Sequence, residues 1–240
     1  MLFPFLRLAK ELKPHGFVRK GTAMFRVHGD GVVQILKFAW EPSYGYSLYL
    51  GLLSMYGELK PEWFTSAGWN LRYDIYNVVG QRWNPVTIWE RIFLKEVHLL
   101  TDEVGAQLEI LRKDGIPWLN EIRTQKDLLD AIHYLETGWG GPFIQNNDLR
   151  LAPYMVCGEL ESAKLVVDAI IKQHNDAYER NRKIIDTEKA YAKYLEPHLE
   201  EDKKYYRVRE LINSGDHESV CAYLRNNYER NKTYAEFCMK

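Results

Sequence analysis

The chain has 240 residues, 46% of them hydrophobic and 27% charged, which are the proportions of an ordinary globular protein. Its formal net charge of −1 argues against a dedicated nucleic-acid-binding protein. No window approaches the roughly 20 apolar residues that a membrane-spanning helix needs, so we expect a cytoplasmic protein without a membrane segment.

The first predicted element is a short amphipathic helix. Residues 2–13 place Phe5, Leu8 and Leu12 at helical spacing, so one face of this helix is expected to pack on the rest of the protein. Gly16 is expected to end it, because glycine adopts the left-handed conformation that often follows a helix.

The next predicted elements are two strands joined by a hairpin turn. Residues 17–27 and 32–40 are rich in β-favouring side chains. The Gly and Asp residues of 28–31 separate them, and both residue types tolerate the positive φ of a tight turn. The second run has apolar residues on both faces, with Gln34 as the one break on the face of Val32 and Leu36, which predicts a central strand covered on both sides for much of its length.

Two further strands complete the predicted sheet. Residues 44–52 alternate apolar and small or polar side chains, and residues 70–79 alternate again. Residues 17–79 therefore predict an antiparallel sheet of about four strands.

The periodicity is helical from Ile88 to the C-terminus. Thr124 is a predicted helix N-cap, with Asp127 at the third position after it. The Gly138–Pro142 stretch is rich in glycine and predicts a boundary. We therefore expect an α+β domain over 1–137 and an all-helical region over 138–240, packed together as one unit or standing apart.

The C-terminal region is predicted to form helical hairpins. The turns at Gly158 and Gly215 share the pattern Gly-acid-x-Glu-Ser-small, which places an acid at the start of the following helix. The expected helices cover residues 149–157, 159–174, 177–194, 200–212 and 219–232.

Sequence motifs for catalysis or cofactor binding were not found. The chain has no dinucleotide-binding glycine motif, P-loop, HExxH, GxSxG or calcium-binding loop, so we predict no cofactor and favour a protein that is not an enzyme. The seven histidines show no pair at ligand spacing, and the three cysteines include no CxxC. Cys157 and Cys221 fall on apolar helix faces and are predicted to be buried structural thiols.

One group of residues is a candidate binding site. Residues 1–40 carry seven Lys and Arg against two Asp and Glu, a local charge of +5. Cations beside aromatic rings could hold single-stranded nucleic acid or an acidic protein partner, or could simply form a solvated face over a packed core. The candidate residues are Arg19, Lys20, Arg26, Trp40, Tyr44 and Tyr46.

The N-terminal sequence resembles a known family. The order Leu12-Lys13-Pro14-His15-Gly16-Phe17, then Arg19-Lys20-Gly21, Phe25-Arg26, Val33-Gln34-Ile35 and Leu48-Tyr49-Leu50-Gly51 is similar to the bacterial domain of unknown function 4304. The resemblance covers about residues 5–175. The resemblance implies an α+β fold and a bacterial cytosolic setting, and it implies no particular activity.

These features favour a non-enzymatic protein-binding module of the immunity or antitoxin type. The alternatives are a nucleic-acid-associated protein that uses the basic N-terminal sheet, and an enzyme whose residues meet only in the fold. Net charge disfavours nucleic acid as the partner, and the sequence does not determine the oligomeric state.

Overall fold

The computed structural model describes residues 4–20, 23–41, 45–59, 73–74, 103–137, 147–187 and 196–239. An antiparallel sheet lies in the N-terminal part and helices follow it. The predicted α+β class, with a helical C-terminal region, is therefore confirmed.

The sheet is a meander in which each strand pairs antiparallel with the next along the chain. Its order is β1-β2-β3-β4-β5, and the long β3 and β4 form its centre. The strands are β1 (Val18–Lys20), β2 (Ala23–His28), β3 (Val32–Glu41), β4 (Gly45–Ser54) and β5 (Tyr73–Asp74).

Two strand predictions needed correction. The run over 17–27 is not one strand but two, β1 and β2, with Val18 opposite Phe25. Gly21 lies between them in the sequence, and glycine weakens a strand interior. Of the strand predicted over 70–79, the described part is β5, which pairs with Tyr49 and Leu50 of β4.

The predicted β2–β3 hairpin is present. Gly29 and Gly31 both have positive φ, +54° and +66°. The turn packs closely on a distant segment, because the Asp30 amide donates to the carbonyl of Arg123 at 2.6 Å. A Cβ on Gly29 would overlap that same carbonyl. Glycine is required at position 29 for its conformation and for this close approach.

The described helices before the C-terminal region are α1 (Pro4–Leu12), α2 (Glu103–Ile110), α3 (Ile116–Glu121) and α4 (Gln125–Thr137). A π-helical turn, Leu111–Gly115, joins α2 to α3, with the Ile116 amide bonded to the Leu111 carbonyl. Residues 103–121 therefore follow a continuous helical path that contains one wider turn. Such a turn shifts the hydrogen-bond register just before Pro117, which has no N–H to donate.

The predicted N-cap of α4 is confirmed. The Thr124 hydroxyl accepts from the Asp127 amide at 3.1 Å, and the Asp127 carboxylate accepts from the Thr124 amide at 2.8 Å. This reciprocal pair is a capping box with Asp in the usual Glu position. Hydrogen bonds from the Arg123 and Thr124 amides outweigh partial burial and lower the pKa of Asp127.

The C-terminal helices surround a second core. The helices are α5 (Asn147–Val156), α6 (Leu160–Thr187), α7 (Glu196–Ser214) and α8 (His217–Met239). Each contacts the next, and α8 returns to contact α5. Their buried residues include Met155, Val167, Val208 and Leu224. No helix among the described residues is both long and apolar enough to cross a membrane.

Helix α6 is longer than predicted. It runs through residues 175–176, where the sequence indicated a break. Two contacts with α7 hold that point: His174 pairs with Asp202, and the Tyr206 hydroxyl donates to Asn175 Oδ1 at 3.2 Å. Asn and Asp are weak helix formers, and here tertiary contacts override that preference.

Helix α8 joins the two cores. Val220 and Leu224 belong to the C-terminal core, whereas Ala235 belongs to the core beneath the sheet. Asn231 is fully buried, and its Nδ2 donates to the carbonyls of Met55 and Gly57 at 2.7 and 2.6 Å. The boundary predicted at Gly138–Pro142 lies outside the described residues.

Replacement of Gly29 by alanine should destabilise the protein far more than the same change at Gly16. Both glycines have positive φ, so both variants lose about 1 kcal/mol to left-handed strain. Space around Gly16 is open, whereas a methyl group at Gly29 meets the Arg123 backbone, which adds about 1–3 kcal/mol. Urea unfolding measures both variants, and equal losses would contradict the close packing of this turn.

Candidate functional site

Arg26, a candidate surface cation, is instead part of the interior. Only 6% of the residue is exposed. Its guanidinium donates to Gln34 Oε1 at 2.9 Å, to the His15 carbonyl at 2.8 Å and to Asn120 Oδ1 at 2.7 Å. It also lies over the ring of Phe17, 4.5 Å from the centroid. Arg26 therefore stabilises the fold and is not available to a partner on an open surface.

Gln34 completes this interior network. It is fully buried on β3, and its side-chain amide nitrogen Nε2 donates to the carbonyls of Leu119 and Ile122 at 2.7 and 3.3 Å. Those carbonyls lie at the C-terminal end of α3, where the Leu119 carbonyl also accepts from the Ile122 amide at 3.4 Å. The one polar residue on an otherwise apolar strand face was the sequence signal for this contact.

Electrostatics at Arg26 are those of a buried cation among neutral oxygens. Burial lowers the pKa of its guanidinium, and the nearby positive charge of Arg123 lowers it further. Arginine still stays protonated in proteins. Neutral carbonyl and amide oxygens stabilise this buried positive charge, so Arg26 has a structural role.

The other candidate residues are only partly described. Arg19 is exposed on β1, and its guanidinium lies 4.9 Å from the ring centroid of Phe5. The backbones of Lys20, Trp40 and Tyr46 lie in β1, β3 and β4, with Trp40 opposite Tyr46. Their side chains, and the whole of Tyr44, lie outside the described residues. Among those described, the fold thus separates Arg26 from Arg19 and does not form one basic patch from them.

His28 lies beside the same network. Its Nε2 is 3.3 Å from the carbonyl of Asn120, which also accepts from Arg123 Nε at 2.9 Å. Burial is the main cause that lowers the pKa of His28, although the contact with Asn120 opposes it. The positive charges of Arg26 and Arg123 lower the pKa further. Folding therefore favours the neutral imidazole.

A different surface has the composition of a protein-binding site. We define the α6–α7 surface as Leu165, Asp168 and Asn175 of α6 with Tyr206 and Arg209 of α7. Leu165 is 73% exposed, in contrast to the buried Val167 and Ile170 of the same helix. The Arg209 guanidinium lies 3.8 Å from the Asp168 carboxylate and 5.1 Å from the Tyr206 ring centroid.

The two helices are held in register by polar contacts. His174 is paired with Asp202, and its ring meets the ring of Tyr205 edge-on at 5.3 Å. The same helix pair carries the hydrogen bond between Tyr206 and Asn175. These contacts fix the position of Tyr206 relative to α6, so the surface is presented by two rigid elements.

The prediction that Cys157 and Cys221 are buried was wrong. Cys157 is exposed, because α5 has already ended at Val156 and the chain turns at Gly158. Cys221 is half-buried in the second turn of α8, and its Sγ is 3.5 Å from His217 Nδ1. A search for histidine pairs missed this contact, and the His-x-x-x-Cys spacing of residues 217–221 would have found it.

In the parts of the chain that the structure describes, no group of three or more His, Cys, Asp or Glu side chains could hold a metal ion. No protein-family model matches the chain, and neither does any curated protein or solved structure. Membership of the family of unknown function 4304 stays a prediction.

Replacement of His28 by glutamine should make stability less sensitive to acid. The folded protein holds the pKa of His28 below its ordinary value of about 6.5, so below that pH the unfolded chain binds more protons. The stability contributed by neutral His28 is present above pH 6.5 and is lost as pH falls toward the folded pKa. Urea unfolding between pH 8 and pH 5 should show a steeper loss for the wild type than for H28Q. Parallel loss in the two proteins would refute a neutral, partly desolvated His28.

Proposed function

We propose that this protein is a non-enzymatic protein-binding module of the immunity or antitoxin type, and that it contacts its partner through the α6–α7 surface. The observation that carries the proposal is the exposure of Leu165, a large apolar side chain on α6. Exposed leucines occur singly on many proteins, so a binding site also depends on the residues that neighbour Leu165.

Those neighbours are of the residue types that dominate binding energy at interfaces. Tyrosine and arginine are enriched among such residues, which are typically surrounded by polar contacts. Tyr206 and Arg209 stack on each other, and Asp168 lies one turn from Leu165 on α6. Exposed Leu165, a Tyr–Arg pair and the Asp168 carboxylate thus lie on two packed helices.

Rigid presentation supports the same function. Ordering of side chains on association opposes binding, so a surface that is already ordered binds more tightly for the same area. Tyr206 is held by Asn175 and Arg209, and Arg209 is held by Asp168. The partner would meet side chains that need little rearrangement.

The position of Arg26 weakens the nucleic-acid alternative. Phosphate binding needs cations that can reach the phosphate oxygens, and the three donor contacts of Arg26 point into the protein. Arg19 remains exposed, but one cation over a phenylalanine ring is not a phosphate-binding groove.

Site-specific crosslinking tests the proposal. A photoreactive amino acid at position 165 in the native host cell should give one discrete crosslinked product, whereas the same group at the exposed position Arg225 on α8 should not. The partner identified from that product should bind the purified wild type. L165K should weaken this binding at least tenfold, as for an interface hot spot, and R225E should not.

Absence of a discrete product from position 165 would refute the proposal, as would equal affinity of the partner for L165K and the wild type. Circular dichroism and urea unfolding of L165K serve as the folding control, since a change at an exposed position is expected to alter stability by less than about 0.5 kcal/mol.

A further inference from the structure

Three basic side chains meet at the C-terminal end of α3. Arg26 donates to Asn120 Oδ1 at 2.7 Å. His28 Nε2 and Arg123 Nε lie 3.3 and 2.9 Å from the carbonyl oxygen of Asn120, so these two side chains are near neighbours around one atom. Arg26 and His28 belong to β2, whereas Arg123 lies between α3 and α4. The fold, and not a local run of basic sequence, therefore gathers the three side chains.

These side chains repel one another, and no carboxylate among the described residues offsets the repulsion at Arg26 or His28. Burial lowers the pKa of Arg26, and the positive charge of Arg123 lowers it further. Burial also lowers the pKa of His28 against the effect of its contact with Asn120, and the charges of both arginines add to this decrease. Like charges held together raise the free energy of the site, and a bound anion would lower it.

Arg123 has hydrogen-bond donors to offer such an anion. Its Nε donates to Asn120, but Nη1 and Nη2 have no hydrogen-bond or ion-pair partner within the described parts of the chain. The carboxylate of Asp127 lies close by and accepts from the backbone amides of Arg123 and Thr124 at 3.0 and 2.8 Å. Asp127 therefore caps α4 and does not pair with the guanidinium.

We propose that Arg123 and His28 form a binding site for one phosphoryl group, either inorganic phosphate or a phosphate monoester. Nη1 and Nη2 of Arg123 donate to two phosphoryl oxygens, since the planar guanidinium matches phosphate in this way. The imidazolium of His28 supplies the second accessible positive charge, and buried Arg26 adds to the potential without touching the ligand. Arg123 is exposed and His28 is half-buried, so solutes can reach both.

Charge and size select the ligand. A phosphoryl dianion balances the two cationic groups that solvent reaches, whereas a carboxylate balances only one of them. A single arginine with accessible donors binds one phosphoryl group and does not form the extended groove that follows a nucleic-acid strand. This site is separate from the α6–α7 surface, so neither proposal depends on the other.

The pKa of His28 is the direct readout of binding. A negative charge beside an imidazole favours its protonated form. NMR titration of the imidazole signals, with His28 assigned by its loss in H28Q, should therefore show that saturating inorganic phosphate raises the pKa of His28 by at least about 0.5. Sodium chloride at the same ionic strength is the control, because it screens the arginine charges without occupying the site.

Variants of Arg123 test which side chain binds the ligand. R123Q should bind phosphate at least tenfold more weakly and should lose the increase in the pKa of His28. R123K keeps the charge without the paired donors, so its affinity should lie between those of R123Q and the wild type. R225Q, which changes an exposed arginine on α8, should bind as the wild type does. Backbone amide spectra of each variant provide the folding control.

The choice of anion separates the sources of the phosphoryl group. Tighter binding of O-phosphoserine than of inorganic phosphate would identify a phosphate monoester as the ligand, and the reverse order would identify the free anion. A His28 pKa that phosphate raises no more than chloride does would overturn the proposal. So would an equal effect of acetate, or undiminished phosphate binding by folded R123Q.

Discussion

The hydrogen bonds of Arg26 and Gln34 with the end of α3 determine how the sheet and the helices fit together. Arg26 bonds to Gln34 within the sheet and to Asn120 beyond it, and Gln34 bonds to the carbonyls of Leu119 and Ile122. The β2–β3 turn meets the same segment, where the Asp30 carbonyl also accepts from the Gln125 side chain. The buried side chains of Arg26 and Gln34 thereby have hydrogen-bond partners, as buried polar groups require.

The attachment of α8 uses the same chemistry at the end of the sheet that carries the β2–β3 turn. Asn231 and Asn227 donate to the carbonyls of residues 55–57, where β4 has ended and the backbone has left the sheet ladder. Tyr223 adds a hydrogen bond to Glu58 at 2.8 Å, and burial with the charge of Glu58 raises the pKa of that tyrosine. In both places a side-chain amide donates to backbone carbonyls near the end of a helix or just beyond the end of a strand.

The features that the sequence predicted correctly are those encoded over a few residues. The alternation along β4, the glycines of the β2–β3 turn and the capping pair of Thr124 and Asp127 all act within one element or turn. The same reasoning placed Arg26 among surface cations because a charged residue in a strand is usually exposed. Its partner Asn120 is 94 positions away, and only the folded chain brings the two together.

Other errors have the same origin in distant contacts. Residues 174–176 are weak helix formers, and α6 continues through them because α7 supplies partners for His174 and Asn175. The sequence also did not predict the α6–α7 surface, since the exposure of Leu165 depends on which face of α6 the neighbouring helices α5 and α7 cover. Its polar neighbours come from a helix that begins some thirty residues later.

A double-mutant cycle on Arg26 and Gln34 tests the central claim most directly. Urea unfolding would be measured for the wild type, R26M, Q34L and the double variant, with the exposed R19M as control. Each single change leaves buried partners unpaired, which costs about 1–3 kcal/mol of unfolding free energy for each group. In the double variant both members of the Arg26–Gln34 hydrogen bond are gone, so neither is left buried without the other. We predict that the double variant loses less than the sum by about 0.5–3 kcal/mol. Additivity within about 0.5 kcal/mol would contradict the account, because it would mean that the two side chains do not act as one network.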